Sequence, residues 1–124
     1  MTGILIVDDS ATMRKIIMRA LRQAGVDIDT VHQAANGAEA LEQLGSNPDV
    51  GLVLCDVNMP EMSGIELVRK IRENHKSEAL PIIMITTEGG DAMRKEAIEE
   101  GANGYVSKPF TPETILSTLE SFLG

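Results

Sequence analysis

The sequence predicts an α/β protein with an open, doubly wound sheet of five parallel strands in the order 2-1-3-4-5 and helices on both faces. Short runs of Ile, Val and Leu lack polar alternation, which is typical of strands covered on both sides. Amphipathic stretches separate these runs, as in parallel sheets with right-handed crossovers. Five strand–helix units are too few for an eight-stranded barrel, and 2-1-3-4-5 is a common order for an open sheet of this size.

The first strand is predicted at residues 4–7, and it ends at Asp8-Asp9. Ser10 follows as a helix N-cap, because its side chain can accept a hydrogen bond from a free amide in the first turn. Apolar residues then recur at intervals of three and four along one helix face, and Gly25 ends the helix. This unit therefore consists of a strand, an acidic turn and a helix.

A weaker second strand is predicted at residues 30–35. Its polar composition favours a position at the edge of the sheet. Asn36-Gly37 is interpreted as the turn that closes this strand, and a short helix follows that ends at Gly45.

The third strand, residues 52–55, leads directly into the carboxylate of Asp56, and Pro60 stops it. Because ligands collect at the carboxyl ends of parallel strands, Asp56 is the principal candidate functional residue. Taken alone, Asp56 could equally be a residue that only starts a turn. Ser63 and Glu66 then have the spacing of a capping box and begin the third helix.

A fourth apolar strand at residues 82–85 ends at Thr86, and a helix over residues 91–100 follows a glycine-rich turn. A short fifth strand at residues 105–107 ends at Lys108. The last helix begins behind a threonine cap, with a proline in its first turn.

Composition argues against several classes of function. The 11 Lys and Arg residues against 19 Asp and Glu give a net charge of -8, which repels a nucleic-acid backbone. The aromatic residues Tyr105, Phe110 and Phe122 offer no stacking platform for bases or a flavin ring. A single cysteine, no leader-like start and no apolar run of about 20 residues favour a cytoplasmic protein without membrane contact. One domain over residues 1–124 and a monomer are expected.

The predicted strand order places the first and third strands side by side, so Asp8, Asp9 and Asp56 should meet at one end of the sheet. Crowded carboxylates repel one another and call for a cation unless one of them is protonated. Mg²⁺ suits such an oxygen-rich site. Thr86 and Lys108 should reach the same rim, where a hydroxyl and an ammonium group can neutralise a phosphoryl group in transfer. Each residue singly could be an ordinary strand-end residue, but their joint occurrence favours a site.

The chain resembles the receiver domain of two-component response regulators over essentially its whole length, and most closely the stand-alone receivers of chemotaxis. The resemblance is carried by Asp8-Asp9, Asp56-Val57-Asn58-Met59-Pro60, Gly64, Thr86, Gly104-Tyr105 and Lys108-Pro109. It implies a phosphorelay protein that is not an enzyme, since no external substrate would be turned over.

The resemblance also implies the roles of the acidic residues. Asp56 would accept a phosphoryl group from a histidine kinase. Asp9, Asp56 and the backbone carbonyl of Asn58 would bind Mg²⁺, with Asp8 acting largely through water.

Further roles follow from the same resemblance. Thr86 and Lys108 would contact the phosphoryl oxygens, and inward movement of Thr86 would let Tyr105 bury its ring. The face built from the fourth helix, fifth strand and fifth helix would then change its affinity for a downstream protein, a flagellar switch or another effector. Asn58 and Glu88 would flank the path of the attacking water, so self-catalysed dephosphorylation should make the signal short-lived.

Three alternatives remain open. The chain could be a receiver cut from a larger regulator, although its end shortly after the last helix favours a stand-alone protein. A small Mg²⁺-dependent phosphohydrolase of the haloacid dehalogenase type also uses a strand-end Asp, but it needs a second Asp where this chain has Asn58. A flavodoxin-like cofactor carrier would need a phosphate-binding loop where Asp8-Asp9 would repel the phosphate.

Overall fold

The computed structural model describes residues 3–25, 30–57, 59, 62–76, 79–86, 91–107 and 111–123, with the backbone alone at residues 86, 91–93, 107 and 119–123. Strands and helices alternate along the chain. Their bounds are β1 (Gly3–Val7), α1 (Ala11–Gln23), β2 (Thr30–Ala34), α2 (Gly37–Ser46), β3 (Val50–Cys55), α3 (Gly64–Arg72), β4 (Ile82–Thr86), α4 (Asp91–Glu100), β5 (Gly104–Ser107) and α5 (Pro112–Leu123).

The strands form one parallel sheet in the order β2-β1-β3-β4-β5, which confirms the predicted fold and the edge position of β2. β1 pairs with β2 on one side and β3 on the other, and Val7 lies opposite Cys55. The backbone N–H of Asp56 continues this ladder by donating to the carbonyl of Val7 at 2.9 Å. The register therefore brings the carboxyl ends of β1 and β3 level with each other.

Apolar side chains cover both faces of the sheet. Successive residues of a strand point to opposite faces, so Leu5 and Val7 pack towards α2, α3 and α4, whereas Ile4 and Ile6 pack towards α1 and α5. Burial on both sides explains why the central strands show no polar alternation. Within the described part of the chain, no helix is long and apolar enough to cross a membrane.

The second helix differs from the prediction at both ends. Asn36 caps α2 instead of closing a turn, because its Oδ1 accepts from the backbone N–H of Glu39 at 2.9 Å. The helix also continues past Gly45, and the side-chain amide of Asn47 closes it by donating to the carbonyl of Gln43 at 2.9 Å. At each end of α2, an asparagine side chain forms a hydrogen bond with a backbone group of the helix. The sequence pattern around Asn36-Gly37 and Gly45 did not indicate these bonds.

Other predicted helix ends are confirmed. Ser10 accepts from the backbone N–H of Met13, and Ser63 accepts from that of Glu66, each at 3.2 Å. Gly25 follows α1 with a φ of 74°, a left-handed conformation that glycine adopts without a steric cost.

Arg72, the last residue of α3, ties together the amino-terminal ends of β4 and β5. Its guanidinium donates to the carbonyls of Gly101 at 2.9 Å and Leu80 at 2.8 Å, and to Oδ1 of Asn103 at 2.7 Å. The same Asn103 oxygen accepts from the backbone N–H of Ile82 at 3.0 Å. One side chain thus connects α3, the start of β4 and the α4–β5 connection.

Candidate functional site

Three aspartates meet where β1 and β3 end. Asp8 follows β1 and is 2% exposed, Asp56 follows β3 and is 8% exposed, and Asp9 is exposed. One carboxylate oxygen from each residue lies within 4.8 Å of the others. The cluster therefore opens to solvent on the side of Asp9, while its other two members are set into the protein.

Asp8 is held in place through its side chain and its backbone. Its Oδ1 accepts from the backbone N–H of Ser10 at 2.9 Å, a local bond that turns the chain from β1 into α1. Its carbonyl oxygen accepts from Nη1 of Arg14 at 2.5 Å, and Nε of Arg14 donates to Oε1 of Gln33 at 3.0 Å. We did not predict this role of Arg14 from the sequence, where its position in the first turn of a helix after an acidic pair was the only available signal.

Two hydrogen bonds hold the backbone that follows Asp56. The thiol of Cys55 donates to the carbonyl of Asp56 at 3.2 Å, and the backbone N–H of Gly64 donates to the carbonyl of Val57 at 2.8 Å. Burial raises the pKa of the Cys55 thiol far above its usual value, and the charges of Asp56 and Asp8 raise it further. The thiol therefore stays protonated and remains a donor.

The other predicted site residues lie partly or wholly outside the described structure. The backbone of Thr86 ends β4, opposite Ser107 of β5, but its side chain is not among those described. Asn58, Glu88 and Lys108 lie outside the described residues. The structure consequently brings together the three aspartates of the predicted site and the strand end that carries Thr86.

Tyr105 lies in β5 and is half-buried. The guanidinium carbon of Arg94, an exposed residue of α4, lies 5.2 Å from the centroid of its ring. This is the geometry of a cation–π contact, which joins α4 to β5. This pair was not predicted from the sequence, because the contact depends on how α4 packs against the sheet.

The donor set fits a hard divalent cation. An octahedral Mg²⁺ holds oxygen ligands at about 2.1 Å, so its neighbouring ligands are roughly 3 to 4 Å apart. One carboxylate oxygen from each of Asp8, Asp9 and Asp56 lies within 4.8 Å of the others, so the three residues form a group that could hold one metal ion. Three acidic groups at this separation also repel one another, and a bound cation would relieve that repulsion.

Comparisons with known proteins agree with this architecture. Residues 4–120 match the family model for the response regulator receiver domain. A chemotaxis protein CheY homolog of Campylobacter jejuni is 49% identical over 121 residues, which is 98% of this chain and 92% of the relative.

Solved structures extend the likeness to three dimensions. Chemotaxis protein CheY4 of Vibrio cholerae superposes with a TM-score of 0.86 at 38% identity, covering 99% of both chains. A chain of the CheX-CheY-BeF3-Mg²⁺ complex from Borrelia burgdorferi gives a TM-score of 0.83 at 27% identity, covering 99% of this chain and 90% of that one. With its family match from residue 4 to residue 120 and a fold shared end to end with CheY4, the chain belongs to the response regulator receiver domain family, and within it to the CheY-like chemotaxis type.

Proposed function

We propose that this protein is a phosphorelay receiver that accepts one phosphoryl group on Asp56 from a histidine kinase, with Mg²⁺ bound by the neighbouring carboxylates. The observation that carries the proposal is the cluster of Asp8, Asp9 and Asp56 at the carboxyl ends of two adjacent strands. An oxygen of the Asp56 carboxylate would attack phosphorus, the bond from phosphorus to the imidazole nitrogen would break, and the imidazole would leave with the bonding electrons.

The other residues of the site would bind the cation or contact the phosphoryl oxygens. Asp8, Asp9, Asp56 and the backbone carbonyl of Asn58 would hold the cation, which neutralises charge on the phosphoryl oxygens when bound. The hydroxyl of Thr86 and the ammonium group of Lys108 would contact those oxygens. The Borrelia relative supports the metal assignment, because its complex contains both BeF3 and Mg²⁺.

Intact-mass spectrometry with acetyl phosphate as donor tests the proposal. We expect the mass to increase by a single phosphoryl group when Mg²⁺ is present and to stay unchanged when EDTA removes it. Equal labelling in EDTA would contradict the metal requirement.

We further propose that the protein signals without turning over an external substrate. The same site in a phosphohydrolase would release phosphate from esters over many cycles. Incubation with p-nitrophenyl phosphate separates the two functions, and sustained release of nitrophenol would favour the hydrolase.

For the partners, we propose a histidine kinase as donor and a protein effector as target, either a flagellar switch or another protein. The chemotaxis names of the relatives support this, as does the CheX-CheY complex of the Borrelia relative. The net charge of -8 argues against nucleic acid as a direct target. We propose that the protein acts in the cytoplasm as a monomer.

Phosphorylation should change the face formed by α4, β5 and α5. A phosphoryl group adds nearly two negative charges and strong acceptors beside the end of β4, which should draw the Thr86 hydroxyl inward. The space released there would admit the ring of Tyr105, which is half-buried beside Arg94 in the described structure. A change in the position of the Tyr105 ring would alter the surface to which a partner protein binds.

We expect crystals grown with beryllofluoride and Mg²⁺ to show the Tyr105 ring buried and withdrawn from the guanidinium of Arg94. Crystals without beryllofluoride should retain the half-buried ring. The Asp56→Asn variant soaked in the same solution is the matched control and should not change. If the Tyr105 rotamer and the position of Thr86 are the same with and without beryllofluoride, the proposed conformational switch is contradicted.

We also expect the phosphorylated state to be short-lived. Asn58 can orient water by hydrogen bonding, and Glu88 can accept from water without closing the site, whereas an apolar side chain would exclude it. Asn58→Leu and Glu88→Leu should each slow phosphate release about tenfold or more. Glu99→Leu, on the exposed surface of α4, is the control and should keep the native rate. If neither Leu variant slows the loss of phosphate, water access does not set the lifetime.

A further inference from the structure

We infer that Gly64 and Cys55 are positioning residues that lock the peptide group of Asp56 and so aim its carboxylate. The inference rests on the proposed phosphoacceptor role of Asp56. Neither residue would touch the phosphoryl group or the metal. Both act on the backbone carbonyl of Asp56, from the first turn of α3 and from the end of β3.

Gly64 is required by close approach rather than by backbone conformation. The glycines with positive φ in the described chain are Gly25 and Gly101, so Gly64 does not depend on glycine's freedom in φ. A Cβ atom at Gly64 would instead lie 2.9 Å from the carbonyl carbon of Asp56, 2.9 Å from Cα of Val57 and closer still to the carbonyl oxygen of Asp56. These atoms are all backbone, so no side chain can rotate away to make room.

At Gly37, by contrast, the structure could accommodate an added Cβ atom. A Cβ atom there would meet the sulfur of Met62, the far end of a flexible side chain that can change rotamer. At Gly64 the only relief is a shift of the Asp56–Val57 peptide or of the start of α3. The 2.8 Å bond from the Gly64 N–H to the carbonyl of Val57 resists such a shift.

Cys55 contacts the same carbonyl through a hydrogen bond. Its thiol donates to the Asp56 oxygen at 3.2 Å from a side chain that is buried in the core, because Cys55 is 1% exposed. The backbone N–H of Asp56 donates to Val7 at 2.9 Å. Because the N–H and the carbonyl of Asp56 are both held, the backbone on either side of its Cα leaves the carboxylate a narrow range of positions relative to Asp8 and Asp9.

The expected effect of moving this peptide is large. Displacement of a reacting group by about 1 Å can cost roughly 100-fold in rate even when the cause lies outside the reacting atoms. The Asp56 carboxylate is also a member of the acidic cluster, so the same displacement should weaken Mg²⁺ binding. A purely structural role would lower stability without changing the rate or the metal affinity of the molecules that remain folded.

Gly64→Ala tests the inference, with Gly101→Ala as a matched control. At Gly101, with a φ of 120°, a Cβ atom would lie 2.7 Å from Cγ of Arg72, so this variant should also lose stability, but at the amino-terminal end of β5. The readouts are the rate of phosphorylation by acetyl phosphate per folded molecule and the Mg²⁺ affinity of the unphosphorylated protein by calorimetry. We expect Gly64→Ala to lose about 100-fold in rate and to bind Mg²⁺ more weakly, and Gly101→Ala to keep both native values.

Native rate and Mg²⁺ affinity in Gly64→Ala would overturn the inference, and so would an equal loss in Gly101→Ala. If Gly64→Ala does not fold, the phosphorylation rates of Cys55→Ala and Cys55→Ser test the inference instead. The serine hydroxyl keeps a donor to the Asp56 carbonyl and should keep the native rate, whereas alanine should slow the reaction about threefold. Equal rates in these two variants would overturn the inference. Absence of labelling in the native protein would instead overturn the proposed function itself.

Discussion

Replacing Asp56 with Asn is expected to abolish the Mg²⁺-dependent uptake of a phosphoryl group. The amide of Asn is a poor nucleophile and carries no charge, so it can neither attack phosphorus nor contribute an anionic ligand to the cation. The change preserves the size of the side chain at a position that is 8% exposed, so the fold should survive. Intact-mass spectrometry after incubation with acetyl phosphate measures the loss directly.

Asp49→Asn is the matched control for this prediction. Asp49 lies immediately before β3, at the opposite end of the same strand, and its Oδ2 lies 3.2 Å from Nε2 of His32. We expect this variant to be labelled at the native rate. Undiminished labelling of Asp56→Asn would place the acceptor elsewhere.

Replacing Arg72 with Met is expected to lower the free energy of unfolding by about 3 kcal/mol. Methionine can fill part of the volume but donates nothing to the carbonyls of Gly101 and Leu80 or to Oδ1 of Asn103. These three acceptors are part-buried, so they would lose the donor in the folded state without recovering full contact with water, which lowers stability. Urea unfolding of the two proteins measures the difference. An unchanged midpoint would mean that water replaces Arg72 at no cost.

Arg69→Met provides the comparison within the same helix. Nε of Arg69 lies 2.7 Å from Oε2 of Glu100, but the Arg69 side chain is 60% exposed, so the pair is weakened by solvent and salt. The hydrogen bond from Arg69 holds the pKa of Glu100 below its usual value. A carboxylate with a lowered pKa stabilises the fold at pH values above its unfolded pKa, and this contribution is lost as the pH falls through its folded pKa. The loss in Arg69→Met should therefore be much smaller than in Arg72→Met and should vanish in acid.

The central strands were predictable because their environment is uniform. Residues 4–7 and 52–55 are buried on both faces, and only an unbroken apolar run satisfies that environment. The start of α2 was misread because Asn36-Gly37 is a common turn sequence. The bond from the Glu39 N–H to Asn36 decided the outcome in favour of a helix cap.

The acidic cluster was predictable for a different reason. Once β1 and β3 are neighbours, any residues that end them must be neighbours too, so Asp8 and Asp56 follow from strand order alone. The contacts of Arg14, Arg94 and Gly64 do not follow in this way. They depend on the angle and distance at which each helix meets the sheet, which the local sequence pattern does not specify.

Reduction of the phosphorylated protein with borohydride tests the central claim most directly. Borohydride converts an aspartyl phosphate to homoserine and leaves free carboxylates unchanged, so fragmentation of the product locates the modified position. We predict homoserine at position 56 alone, and only in samples phosphorylated with Mg²⁺ present. Homoserine at position 8, 9 or 49, or none in a sample whose mass shows that it is phosphorylated, would contradict the account.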